Sequence, residues 1–162
     1  MKRIRAGRRQ IQFEFAPSEK AILFHLLQLY PVVPAAHHRL SKGRKLPHRE
    51  ENQRLLEESL QAQRDENQKQ IHAMLNETGR FAESPQGFRA SFSRGEIEWL
   101  LQVLNDVRVG SWIALGSPAL HPELKKDMSH QTMSQVMTME VAAFFELNFL
   151  NAVSGDLSPG HE

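Results

Sequence analysis

Cysteine is absent from the 162-residue chain. Disulfides, thiolate chemistry and cysteine-ligated zinc are therefore excluded, and a reducing compartment is the simplest interpretation. Long apolar runs are missing too: none approaches the roughly 20 residues of a transmembrane helix, and no apolar segment follows the basic start MKRIRAGRR as it would in a signal peptide. The composition predicts a cytoplasmic protein without a membrane partner.

Motifs typical of catalysis and ligand binding are missing as well. The chain contains neither GxGxxG nor GxxxxGK[ST], which cradle phosphates, and no serine stands in a GxSxG elbow. Its eight histidines include the adjacent His37 and His38, but no pair has the HExxH spacing of a zinc site. We therefore predict no catalytic residue, no metal site and no cofactor.

The net charge of +1 conceals two halves of opposite sign. Residues 1–49 carry 11 Lys and Arg against two Glu, which gives +9, whereas residues 50–162 carry 9 against 17 Asp and Glu, which gives −8. Such halves can attract each other within the fold, or the basic half can bind an acidic partner. Both interpretations stay open.

Periodicity predicts one hairpin and four helices. Ile11, Phe13 and Phe15 alternate with polar residues, as in a half-buried strand, and a turn near residue 7 can pair them with a first strand. The segment 80–92, RFAESPQGFRASF, is interpreted as a loop. The predicted elements are a hairpin over 2–15 and helices over about 18–30, 49–77, 94–115 and 128–153.

These elements predict a mainly α fold, in which residues 1–155 form a single four-helix bundle-like domain with a short N-terminal β-hairpin. Residues 156–162 are expected to be a flexible tail. The strongest local signal is a capping box, in which Ser93 accepts from the Glu96 amide and the Glu96 carboxylate accepts from the Ser93 amide. It marks the start of the third helix.

One charged residue falls on the most apolar stripe of each of the last two helices. At 100° per residue, Arg108 falls in the arc of Ile97, Leu101, Leu104 and Leu115. Glu140 falls in the arc of Met133, Val136, Met137, Val141, Phe144 and Leu147. Because an isolated buried charge costs several kcal/mol, we expect Arg108 and Glu140 to form a buried ion pair. Asp106 is placed on the opposite, wet face.

Gln63 and Asn67 fall on the inward line of the long helix, where they can satisfy the remaining donors of this pair. Replacing Glu140 by alanine is then expected to cost about 3–5 kcal/mol. The pair can fix the register of the helices, or it can line a polar pocket that holds a ligand or a catalytic carboxylate. A third possibility is that the helical phases differ and the arginine reaches the surface.

Two further features bear on partners. The middle of the long helix, QAQRDENQKQ, is almost wholly polar, which is typical of a helix that projects into solvent or meets a polar partner, a second copy included. Four methionines cluster near the last helix: Met128, Met133, Met137 and Met139. Methionine fills irregular gaps in cores and also lines grooves for variable partners, and both interpretations stay open.

The capped helix with WLLQVLNDVRVG resembles a bacterial family of uncharacterised proteins, domain of unknown function twenty-seventeen. Members have an acidic residue shortly before a Trp-Leu pair and then a Leu-Asn-Asp-x-Arg run. The segment LFHLLQLY, the HHRL at 37–40 and the long helix with Arg64 are also similar, so the likeness covers most of residues 11–120. It implies a helical cytosolic protein. Genes of members often lie beside the gene of the ClpS adaptor, which implies an accessory role in protein turnover.

We therefore predict a non-enzymatic interaction or regulatory protein, whose partner is another protein or, in a homodimer, a second copy. One alternative is nucleic-acid binding by the basic N-terminal third, although few aromatic residues are interleaved for base stacking. The contacts would come from Lys2, Arg3, Arg5, Arg8, Arg9, Arg39, Lys42, Arg44 and Lys45. The other alternative is an enzyme with a polar pocket around Arg108 and Glu140.

Overall fold

A computed structural model describes residues 1–6, 9–35, 48–118 and 129–154. Within these ranges the chain forms, in order, β1 (Lys2–Ala6), β2 (Gln10–Phe15), α1 (Pro17–Leu29), α2 (Arg49–Asn76), β3 (Ala82–Ser84), β4 (Gly87–Ser93), α3 (Arg94–Ala114) and α4 (His130–Ser154). The strands form one antiparallel sheet in the order β1-β2-β4-β3. The tail predicted at 156–162 lies outside the described residues.

The sheet corrects the predicted fold class. The N-terminal hairpin is present, but the segment 80–92, which was interpreted as a loop, contains β3 and most of β4, so the fold is not a helical bundle with only a hairpin. β4 pairs with β2 along its length, with Gln10 opposite Ser93 and Phe15 opposite Phe88. The four helices lie close to the predicted ranges, and α1, α3 and α4 contact the four-stranded sheet.

Side-chain alternation and one glycine explain why β3 and β4 form a hairpin. In β4, Ala90 and Phe92 are buried, whereas Arg89 is exposed and Ser91 is partly exposed, which is the period-two pattern of a half-buried strand. Gly87 has a φ of +139°, and a Cβ at that position would lie 2.3 Å from the Phe15 carbonyl oxygen. Only glycine fits this tight turn without displacing the backbone.

The core lies between the inner face of the sheet and the helices. Phe149 of α4 reaches the sheet, where its ring meets Phe13 edge-on at 5.2 Å and Phe92 at 5.8 Å between centroids. The three rings are fully buried, and burial of each contributes about 1.5–3 kcal/mol. α3 packs along α4 and is buried over much of its surface, so these two helices and the sheet form the centre of the fold.

The predicted capping box at the start of α3 is confirmed. The Glu96 N–H donates to Ser93 Oγ at 3.1 Å, and the Ser93 N–H donates to Glu96 Oε2 at 2.7 Å. Two of the otherwise unpaired amides at the helix start are thus satisfied. β4 therefore passes into α3 without an intervening loop, which fixes the helix relative to the sheet.

Candidate functional site

Arg108 lies against Glu146 of α4. Its Nε is 2.9 Å from Glu146 Oε2, and its Nη2 donates to Asn105 Oδ1 at 3.0 Å. Within the described part of the chain, Arg108 Nε and Glu146 Oε1 have no hydrogen-bond partner, so the contact joins two charges without an aligned hydrogen bond. Burial raises the pKa of the Glu146 carboxyl, and the neighbouring guanidinium only partly offsets this.

The structure corrects the predicted buried pair of Arg108 and Glu140. The Arg108 side chain is 42% exposed, and Glu140 lies on an exposed part of α4. At 100° per residue, the buried residues of α3 centre about 90° away from Arg108, which places the guanidinium at the margin of the core. The loss of about 3–5 kcal/mol expected for Glu140→Ala, which assumed a buried pair with Arg108, therefore does not follow.

The error in phase arises because α4 is apolar around its whole circumference. The residues that face the core are Val136, Met139, Ala142, Phe145, Phe149 and Ala152. The opposite side exposes four large apolar residues, here called the outer face of α4: Met133, Met137, Phe144 and Leu147. Leu150 is also exposed but lies to one side, about 90° from the centre of the core-facing residues. Glu140 lies among these exposed residues. Most of the arc that sequence periodicity assigned to the core is thus turned outward, whereas Val136 of that arc is buried.

The size of this outer face makes it the candidate functional site. Met137 is 51% and Leu147 59% exposed, and Met133 and Phe144 are 37% and 43% exposed. Taking roughly 200 Å² for a fully exposed residue of this size, the four together expose roughly 380 Å². Apolar patches of this extent on a soluble protein commonly mark an interaction site. Met139 is buried, so the methionines of α4 serve both core and surface, while Met128 lies outside the described residues.

Among the described residues, Gln63 and Asn67 form no hydrogen bond with Arg108. They belong to a separate hydrogen-bond network centred on the buried Asn67 side chain. Asn67 is 6% exposed, donates from Nδ2 to the Tyr30 hydroxyl at 2.9 Å, and accepts on Oδ1 from Trp99 Nε1 at 3.1 Å. Gln63 Nε2 donates to the same oxygen at 3.0 Å. The predicted inward position of Asn67 is therefore confirmed, but its hydrogen bonds attach α2 to α3 and to the end of α1.

Asp106, which was expected on a wet face, holds the chain that leaves α1. Its Oδ1 accepts from the backbone N–H of Val32 at 2.6 Å and of Val33 at 3.2 Å. Arg64 of α2 donates from Nη2 to the Val33 carbonyl at 2.6 Å. The sequence signal for this close contact was Gly110, a glycine inside a predicted helix one turn beyond Asp106. A Cβ at position 110 would lie 2.5 Å from Val32, so only glycine lets the chain after α1 approach α3 here.

A groove of about 530 Å³ between α2 and α3 contains a second charged group. At its edge Arg80 contacts Glu96, donates from Nε to Glu77 at 2.8 Å, and donates from Nη1 to the Ser91 carbonyl at 2.8 Å. Burial opposes the charge of Arg80, but the two carboxylates outweigh it and raise its pKa. Because each guanidinium nitrogen already has a partner, this cluster joins α2, β4 and α3 and offers no free group for chemistry.

The basic N-terminal residues are divided between structural and exposed positions. Arg3 Nη1 donates to the Ala152 carbonyl at 3.2 Å and so ties β1 to the end of α4. Lys2, Arg5 and Arg9 are exposed. Arg5 and Arg9 line a depression of about 520 Å³ on the sheet together with Gln10, Gln12 and Ser91. The other predicted contacts, Arg8, Arg39, Lys42, Arg44 and Lys45, lie outside the described residues.

A metal centre and a membrane-spanning helix are two further classes of site that the described ranges could contain. No group of three or more His, Cys, Asp or Glu side chains there could hold a metal ion. α4 is long and apolar enough to cross a membrane by length and composition, but this is weak evidence, since the core helix of a soluble protein passes the same test.

No protein-family model, no curated protein and no solved structure matches this chain. The resemblance of the 96–110 stretch to an uncharacterised bacterial family, and the role in protein turnover that it implies, therefore stay predictions.

Proposed function

We propose that this protein is a non-enzymatic interaction module that binds an amphipathic helix on the outer face of α4. The observation that carries the proposal is the exposure of four large apolar side chains on one side of a helix whose other side is packed in the core. Leaving such residues in water is unfavourable, and association that covers them recovers the hydrophobic free energy. The cytoplasmic location predicted from the composition is part of this proposal.

The spacing of the face supports a helix as its occupant. Met133 and Met137 are four residues apart, Glu140 follows after three, Phe144 after four and Leu147 after three. Alternating steps of three and four form the a/d seam of a coiled coil, which places successive side chains on a line that a second helix can follow. An extended strand or an irregular loop has no matching period.

The enzymatic alternative has little support from the geometry. Arg108 is half-exposed and lies against Glu146, whereas Glu140 lies on the outer face. The two depressions described above are lined by other residues. Neither supports the polar pocket around Arg108 and Glu140 that this alternative requires.

Site-specific photo-crosslinking in cells tests the docking proposal. A photoreactive amino acid at Leu147 should give crosslinks to segments with apolar residues at alternating steps of three and four. The same amino acid at Leu55 of α2, which is 52% exposed, is the matched control. Crosslinks from Leu147 that do not exceed those from Leu55, or that fall on segments without this spacing, would contradict the proposal.

Nucleic-acid binding is the second candidate, and one observation favours it. The guanidinium groups of Arg5 and Arg9 border the same depression, which polar side chains complete. A mobility shift with mixed DNA and RNA at low salt tests it. Arg5→Ala should weaken binding and reduce the salt slope by about 1 per lost phosphate contact, whereas Arg54→Ala on α2 should not. No shift with the parent protein would exclude this candidate.

A further inference from the structure

The seam on α4 has a symmetry that a second copy of the same helix can match. Asn151, also exposed, extends the line one step beyond Leu147. The six positions 133, 137, 140, 144, 147 and 151 are then separated by four, three, four, three and four residues. This order of steps is the same in both directions along the helix. Two copies of α4 that run antiparallel therefore bring every seam position opposite another one.

We propose that the helix bound on the outer face is α4 of a second copy, in antiparallel orientation, with the two-fold axis between Glu140 and Phe144. This inference rests on the proposed function and names its partner. In successive layers, Met133 lies opposite Asn151 of the second copy, Met137 opposite Leu147, and Glu140 opposite Phe144. The two-fold axis generates the reciprocal contact for each pair, which gives six layers in all. The interface is thus built from one surface that complements itself.

The position of Glu140 selects this arrangement among those with two-fold symmetry. In a parallel pair, each seam residue would face the same residue of the second copy. Two Glu140 carboxylates would then meet inside the seam, which is strongly unfavourable. In the antiparallel register, Glu140 lies against Phe144 of the second copy. Its aliphatic stem can cover the ring while the carboxylate stays at the rim in water.

The exposed area agrees with the needs of a dimer. A stable interface buries about 800 Å² on each partner, and rather more than half of that is apolar. The roughly 380 Å² of apolar surface on the outer face supplies most of this share. Polar residues of α4 beside the seam, such as Asn148, would supply part of the remainder as a rim.

Sedimentation equilibrium of the full chain is the first test. The parent should sediment with twice the mass of one chain and dissociate on dilution. Because each copy contributes one residue 147, Leu147→Asp places two carboxylates in the seam. It should raise the dissociation constant of the dimer by about 100-fold or more. Leu55→Asp, the same change at an equally exposed site, should not. A parent that stays monomeric when concentrated, or a dimer that tolerates Leu147→Asp, overturns the inference.

Cysteine pairing tests the register, because the natural chain has no cysteine. Met137→Cys and Leu147→Cys proteins, mixed and oxidised, should form a disulfide with each other, whereas each alone should not. A protein that crosslinks efficiently with itself would show a parallel or shifted pairing and overturn the register. If the parent is monomeric but photo-crosslinks from Leu147 reach a helix of another protein, the proposed function stands and only the second copy is excluded.

Discussion

Replacing Asp106 by alanine is predicted to lower the free energy of unfolding by about 2–4 kcal/mol. The carboxylate accepts two backbone hydrogen bonds, from Val32 at 2.6 Å and from Val33 at 3.2 Å, and both are partly buried. A hydrogen bond to a charged group contributes about 1.5–3 kcal/mol, and the longer of the two contributes less. Alanine would remove both acceptors and leave two amides without a partner where α1 meets α3.

Urea denaturation followed by circular dichroism measures this loss, and thermal unfolding should show a drop of roughly 5–15 °C for a chain of this size. Asp106→Asn keeps an acceptor oxygen and should retain part of the stability. Asp65→Ala is the control, because Asp65 only accepts an exposed bond from Gln61 one turn away, worth about 0.5 kcal/mol or less. An Asp106→Ala protein within 0.5 kcal/mol of the parent, roughly the uncertainty of such measurements, would refute the reasoning.

Three further predictions concern stability. Gly110→Ala should destabilise by about 1–3 kcal/mol despite the better helix propensity of alanine, because its Cβ would lie 2.5 Å from Val32; a raised melting temperature would contradict this. Burial opposes ionisation of Glu96, but hydrogen bonds, mainly from Arg80, outweigh it and lower its pKa. The stability that ionised Glu96 contributes should therefore be present above the unfolded pKa of ~4.3 and be lost as pH drops through the lower folded pKa. In an acid titration, the free energy of unfolding of Glu96→Gln should fall less than that of the parent. Burial raises the pKa of Glu146, so the stability linked to its protonated form is lost as pH rises through the folded pKa. Glu146→Gln should therefore lower the free energy of unfolding by less than about 1 kcal/mol at pH 7. A larger loss in urea denaturation would refute this.

Local signals predicted the helix starts and the first hairpin correctly. The capping box depends on two residues three positions apart, so the interaction that defines it is contained in one turn of chain. The alternation of Ile11, Phe13 and Phe15 likewise shows one buried face without reference to any partner. Such features depend little on the rest of the fold.

The second hairpin was missed although its alternation is present in the sequence. Phe88, Ala90 and Phe92 lie on alternate positions, but the segment is short and contains proline and glycine, which favour a loop. Its partner strand β2 is separated from it by α1 and α2. Pairing over that distance depends on the tertiary fold, which local periodicity does not encode.

The candidate site was missed for a different reason. Periodicity indicates a buried face only when the opposite face is polar, and α4 is apolar on both. The residues of the outer face were therefore assigned to the core, together with Glu140. The surplus of apolar residues on α4 was itself the informative feature, because a helix that packs on one side only does not need a second apolar face.

Methionine oxidation by hydrogen peroxide, followed by mass spectrometry at several protein concentrations, tests most directly whether a second copy covers the outer face of α4. Met133 and Met137 are 37% and 51% exposed in the single chain, while Met139, at 8%, serves as the internal control. We predict that oxidation of Met133 and Met137 slows several-fold as the protein is concentrated into dimers, while Met139 stays slow throughout. Oxidation of Met133 and Met137 at the same rate in dilute and concentrated protein would contradict the account.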